Sequence, residues 1–155
     1  MFCQFKPSLV MVSYSLWGRL VAGQEFNSVV KIIDTIDIFT LTMQMFQILT
    51  PHFSQAEIDL MAIEPEVTKE DFFTRLNLQP EREEYDICDL YDYTIAISQK
   101  EGNLFAAHTQ RTENAYVPMT VEVPSIANAY DRDPLFVISG NGFNLQGATY
   151  FVREV

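Results

Sequence analysis

Tyr93-Thr94-Ile95-Ala96-Ile97-Ser98-Gln99-Lys100-Glu101-Gly102-Asn103-Leu104-Phe105-Ala106-Ala107-His108-Thr109 is the stretch whose reading decides the fold. Two apolar runs, 93–98 and 104–109, flank a polar loop holding Gly102, which predicts a β-hairpin. A hairpin joins its strands antiparallel, and the downstream pattern extends the same reading. Residues 117–123 alternate around Pro118, whose missing N–H suits an edge strand. Residues 135–139 and 148–153 read as two further apolar strands. The turn-forming runs Asp131-Arg132-Asp133-Pro134 and Gly140-Asn141-Gly142 bound them.

Upstream the pattern is less decided. Val10, Val12, Tyr14 and Leu16 alternate with Met11, Ser13 and Ser15, the period of a strand. Phe26, Val29, Val30, Ile33 and Ile36 fall at helical spacing, although their β-branched side chains suit a strand better. Phe39-Thr40-Leu41-Thr42-Met43-Gln44-Met45 alternates and reads as a strand with one buried face. The competing reading is a single helix over 24–49, with Ile32, Ile36, Phe39, Met43 and Phe46 as its stripe. That run contains no alanine, so its helix propensity is poor. Helix followed by strand is preferred. Ser54 and Glu57 form a capping box with Phe53 and Ile58 as its apolar staple, predicting a helix over 54–62. Thr68, with Val67 and Phe72 as staple, predicts another running to Leu76. The expected fold is therefore α+β in a single domain, 1–155: a mostly antiparallel sheet with two or three helices gathered in the first half.

Charge narrows the function. The 155 residues carry a formal charge of −11. Residues 57–92 hold twelve acids against three bases, −9, whereas residues 1–56 are net neutral. Such a field repels phosphate and anionic lipid and favours basic partners. Direct nucleic-acid binding needs a basic patch, and the sequence has none. No apolar run reaches the ~20 residues of a membrane-spanning helix. Two cysteines, Cys3 and Cys88, do not make a disulfide scaffold and fit a reducing compartment. Lys6 and the apolar residues after it imitate a signal peptide only loosely, since Ser13, Ser15 and Arg19 interrupt the pattern.

Catalytic motifs are missing. No phosphate-binding glycine loop, nucleophile elbow or zinc spacing occurs. His52 and His108 stand far apart in sequence from each other and from both cysteines. A Cys88–His108 nucleophilic pair is disfavoured because Asp89 beside the thiol opposes a thiolate. The acids at 81–92 lack the spacing of a calcium loop. No cofactor and no metal are expected.

Glu57, Glu70 and Asp71 belong to helix starts. The acids left over, with the tyrosines among them, form the candidate partner-binding segment: Glu81, Glu83, Glu84, Tyr85, Asp86, Asp89, Tyr91 and Asp92. Carboxylates interleaved with rings suit an Arg- or Lys-rich surface. The leading expectation is a non-enzymatic interaction or assembly subunit, such as a viral or phage structural component, cytoplasmic or virion-associated. Its partner would be a protein with a basic surface or further copies of itself. The alternatives are an acidic inhibitor that imitates nucleic acid and a small carboxylate-dependent hydrolase.

Overall fold

A computed structural model describes residues 6–53, 63–69, 71–118, 120 and 142–154. The chain divides into two compact units. One comprises residues 1–42 and 79–120, the other residues 43–78 and 121–155.

The first unit is built on four strands: β1 (Leu9–Ser13), β2 (Val30–Asp34), β3 (Tyr93–Ala96) and β4 (Glu113–Tyr116). They lie in the order β1-β2-β3-β4, and every neighbouring pair is parallel. The expected antiparallel sheet is overturned, because parallel neighbours need a crossover rather than a tight turn. A 3₁₀ segment (Ser15–Val21) follows β1. Helix α1 (Phe39–Phe53) follows β2, α3 (Arg82–Cys88) precedes β3, and α4 (Gln99–His108) joins β3 to β4. With α2 (Phe72–Arg75) and α5 (Gly142–Glu154), five α-helices stand among the described residues. They are spread along the chain, not gathered in its first half.

The deciding stretch is thus strand–helix–strand. Ser98 Oγ accepts from the Glu101 amide at 3.2 Å and donates to the Glu101 carboxylate at 2.7 Å. That local network starts α4 where a hairpin loop was expected. Gly102 sits inside the helix, and a Cβ there would reach ordinary contact with Ala96 and Tyr116. It is a helix residue beside the sheet, not a turn glycine.

Three further expectations reverse. Residues 30–34 form a strand, in keeping with Val30, Ile32 and Ile33. Residues 39–45 belong to α1 despite their alternation. Residues 148–153 lie in α5, where Leu145, Ala148 and Thr149 are buried at helical spacing. Thr68 ends a 3₁₀ turn (Pro65–Thr68), and the helix expected from it is the single turn α2. The helix read at 54–62, the strand read at 135–139 and the turn read at 131–134 lie outside the described residues, as does most of the strand read at 117–123.

The first unit's core forms on one side of the sheet. Val10, Val12, Ile33 and Ala96 point there, against Val21, Ile38, Tyr85, Ile87, Cys88, Tyr91 and Phe105. Gly18 allows the closest approach: a Cβ at that position would stand 2.2 Å from Ile87 Cγ2. Tyr91 donates its buried hydroxyl to the Gly18 carbonyl at 2.8 Å. In the second unit Leu49, Ile63 and Val67 pack with Phe72, Phe73 and Phe143.

Candidate functional site

Helix α3 carries Glu83, Glu84, Tyr85 and Asp86 of the acidic segment, with Glu81 at its start and Asp89, Tyr91 and Asp92 beyond its end. Its inward side holds Glu84, Tyr85, Ile87 and Cys88. Glu84 is fully buried. One carboxylate oxygen accepts from Ser15 Oγ and from the Phe39 amide, both at 2.7 Å. The other accepts from the Thr40 amide at 2.9 Å and from Thr40 Oγ1 at 2.5 Å. Thr40 Oγ1 in turn accepts from the Glu81 amide at 3.0 Å. Both oxygens of Glu84 are therefore occupied, and two of the four donors are orphan amides at the start of α1. The carboxylate caps that helix and ties it to α3.

Asp89 does comparable work after α3. It accepts from the amides of Gln110 and Arg111 at 2.8 Å and Thr112 at 3.3 Å. Burial alone would raise its carboxyl, but the amides of Arg111, Gln110 and Thr112 together hold it below the usual value. Asp92 accepts from the Lys31 amide at 2.8 Å and fastens the entry to β3 onto β2. Tyr85 stacks on His108 with ring centroids 4.8 Å apart and meets Phe105 edge-on at 5.9 Å. Burial pushes the Tyr85 hydroxyl up, and that of Tyr91 to about 12.

Of the eight candidate residues, Glu81, Glu83, Asp86 and Asp92 are exposed, Asp89 is half-buried, and Glu84, Tyr85 and Tyr91 are buried. Glu83 is paired with Arg19 at 2.8 Å and Asp86 with Arg82 at 2.9 Å. A cleft of about 300 Å³ brings Glu81, Glu83 and Glu84 together with Ser15, Arg19 and Thr40. Its central carboxylate is the saturated Glu84, and Glu83 faces an arginine, so no unengaged acid–base pair results. Burial drives the Cys88 thiol up to about 12, which removes it as a nucleophile near neutral pH. Among the described residues no three His, Cys, Asp or Glu side chains converge as metal ligands.

The sheet itself presents a different surface. Side chains alternate between its faces, and the side opposite the core carries three rows fixed by the strand register. Leu9 lies beside Val30. Met11, Ile32, Tyr93 and Glu113 form the second row. Ser13, Asp34, Ile95 and Ala115 form the third. None of them belongs to the core. Leu9, Met11, Val30 and Tyr93 are 49%, 52%, 43% and 40% exposed. All-parallel sheets are ordinarily covered on both faces, because crossover elements lie above and below them. This one leaves Leu9, Met11, Val30 and Tyr93 exposed together on one face. Its only charged side chains are Asp34 and Glu113, both acidic.

Sequence reasoning missed this surface. The alternation of β1 was visible, but which half of it stays uncovered depends on where the crossovers pass. No family model, curated protein or solved structure matches the chain.

Proposed function

We propose that this protein is an interaction subunit whose first unit docks a helical element of a protein partner on the open face of its parallel sheet. The observation that carries the reading is the row structure of that face: Leu9, Met11, Val30 and Tyr93 exposed together on a sheet whose other side is packed. A helix is the element that lies against a parallel sheet. Apolar side chains of the partner would pack over Met11, Ile32 and Ile95. With Asp34 and Glu113 as the only charges, basic residues flanking the apolar stripe complement the rim. The partner is thus an amphipathic helix with Lys or Arg along its margins. This keeps the basic partner expected from composition and moves its docking surface from the acidic segment to the sheet.

The charge-mimic reading has less support, because Glu83 and Asp86 are already paired with arginines and Glu84 and Asp89 bind backbone and hydroxyl donors. The hydrolase reading loses its central carboxylate to the cap of α1.

Site-specific photo-crosslinking in cells tests the proposal. A crosslinker replacing Val30 or Tyr93 is expected to join one discrete protein through a helical, Lys- or Arg-flanked segment. Ile32→Lys should abolish the adduct. Adducts formed from positions 81 or 86 but never from 30 or 93 would overturn it.

A further inference from the structure

We infer that two copies of this chain pair through the outer edges of β1, antiparallel, so that two four-stranded sheets become one of eight strands. β1 is an outside strand of the sheet. The Val30 amide donates to the Ser8 carbonyl, and the Tyr14 amide to the Asp34 carbonyl. Backbone direction alternates along a strand, so Ser8, Val10, Val12 and Tyr14 turn their polar groups toward β2. Leu9, Met11 and Ser13 turn theirs outward, where no strand among the described residues supplies a partner.

The two edges of the sheet are guarded differently. β4 is four residues long, begins at Glu113 and is followed closely by Pro118. Charge and proline are what keep edges from pairing. β1, Leu9-Val10-Met11-Val12-Ser13, contains no charge, no proline and no glycine, and pairs with β2 over its whole length in one register. Beyond it, the 3₁₀ segment that packs against β1 exposes Leu16, Trp17 and Leu20. Lys6 and Pro7 precede β1 much as Pro118 follows β4, so the contrast rests on the five strand residues themselves, an apolar edge that is a template for strand addition.

Geometry and charge select a second copy as the occupant. A two-fold axis normal to the sheet, passing beside Met11 and midway between the two edges, places Met11 opposite Met11 of the other copy, and Leu9 opposite Ser13. Each outward-facing residue then meets an outward-facing residue, the hydrogen-bonded pairing of an antiparallel ladder. No like charges oppose across it. The edge also lies in the stretch 1–56, which is net neutral, whereas 57–92 carries −9. Acidic copies therefore approach where their repulsion is least. The same axis keeps both open faces on one side, so the docking surface proposed above is doubled. That last consequence rests on the docking proposal; the pairing itself does not.

Light scattering coupled to size exclusion, run on the full chain over a concentration series, reads the outcome. The expected mass is twice the 17.8 kDa of one chain. Met11→Pro and Leu9→Pro each remove an outward amide where an edge tolerates proline, and should halve that mass while leaving the circular dichroism unchanged. Val30→Lys should remain dimeric while losing the crosslinked partner, so failure of the docking surface and failure of the dimer are told apart. Hydrogen exchange on the wild type adds a readout that needs no variant: the amides of Leu9, Met11 and Ser13 should slow as concentration rises. A single-chain mass at every concentration, or exchange at those amides that ignores concentration, overturns the inference. A dimer that persists in the folded proline variants does so too.

Discussion

The two faces of the parallel sheet in the first unit are made from the same four strands, yet they obey different rules. On the covered face Ile33 is fully buried and Ala96 nearly so, packed beneath Phe105, Tyr85 and Tyr91. On the open face Met11 and Tyr93, their neighbours in sequence or register, remain in water. The composition of the strands barely separates the two: Val10 and Val12 on one side answer Leu9 and Met11 on the other. What separates them is packing: the 3₁₀ segment, α3 and α4 bring Val21, Tyr85, Ile87, Cys88 and Phe105 against the covered side. Hydrophobic side chains therefore mark where a layer can pack, and the connections decide whether this chain supplies that layer.

The largest effects should come from the covered side. Phe105→Ala opens a cavity against Tyr85 and is expected to cost about 3–5 kcal/mol in urea denaturation. Glu84→Ala leaves Ser15 Oγ and the amides of Phe39 and Thr40 without their acceptor. Stranding several donors around a removed buried charge should cost about 3 kcal/mol or more. Glu84→Gln retains one acceptor oxygen and should fall between the two. If Glu84→Ala were as stable as wild type, the cap of α1 would not be what holds that corner of the core.

The Glu84 contact also shows where the sequence stopped being legible. The start of α1 is satisfied by a carboxylate 44 positions downstream, so no local signal marks Phe39, and the alternation of 39–45 read as a strand. The Ser98–Glu101 box at the start of α4 was local and present in the sequence. The hairpin reading passed over it, because the apolar runs around Gly102 fit a strand period as well. β1 was legible from alternation alone, and β2 from its β-branched residues once helical spacing was set aside. The eight acidic-segment residues drew attention for their charge and rings. Five of them, Glu84, Tyr85, Asp89, Tyr91 and Asp92, serve distant hydrogen bonds and core packing, which one-dimensional reading does not resolve. The open face was written in the strands but needed the crossover side to become visible.

Gly18→Ala should have a smaller effect than the cavity or the lost cap. The new methyl would meet Ile87 Cγ2, and shifting that side chain or the 3₁₀ segment costs about 1–3 kcal/mol. A cost near zero would mean that the segment already has slack over α3. Alkaline pH reaches the same region without mutation. The Cys88 thiol ionises near 9.0 when unfolded and only at about 12 in the core. The folded state therefore holds its full advantage below pH 9 and loses it as pH climbs toward 12. The loss is about 1 kcal/mol at pH 10. Tyr91, shifted from 10.0 to about 12, adds to the loss above pH 10. Cys88→Ala should flatten the first part of that decline in denaturation curves taken from pH 8 to 11.

The smallest effect is the one that tests the comparison most directly. Met11 and Ile33 lie on adjacent strands, one on each face, and truncating them removes similar apolar volume. Ile33→Ala should cost about 2–5 kcal/mol. Met11→Ala should stay within about 0.5 kcal/mol, because the side chain gives up little burial in the chain by itself. The contrast should change once the face is occupied. Binding to the folded state alone adds stability by mass action, and Met11→Ala then acquires a cost that grows with the concentration of the partner or of the chain. If Met11→Ala were as damaging as Ile33→Ala in dilute chain, the open face would already be covered from within and would have no room for a partner. If its cost stayed near zero at every concentration with the partner present, the face would be exposed for no purpose that binding can reveal.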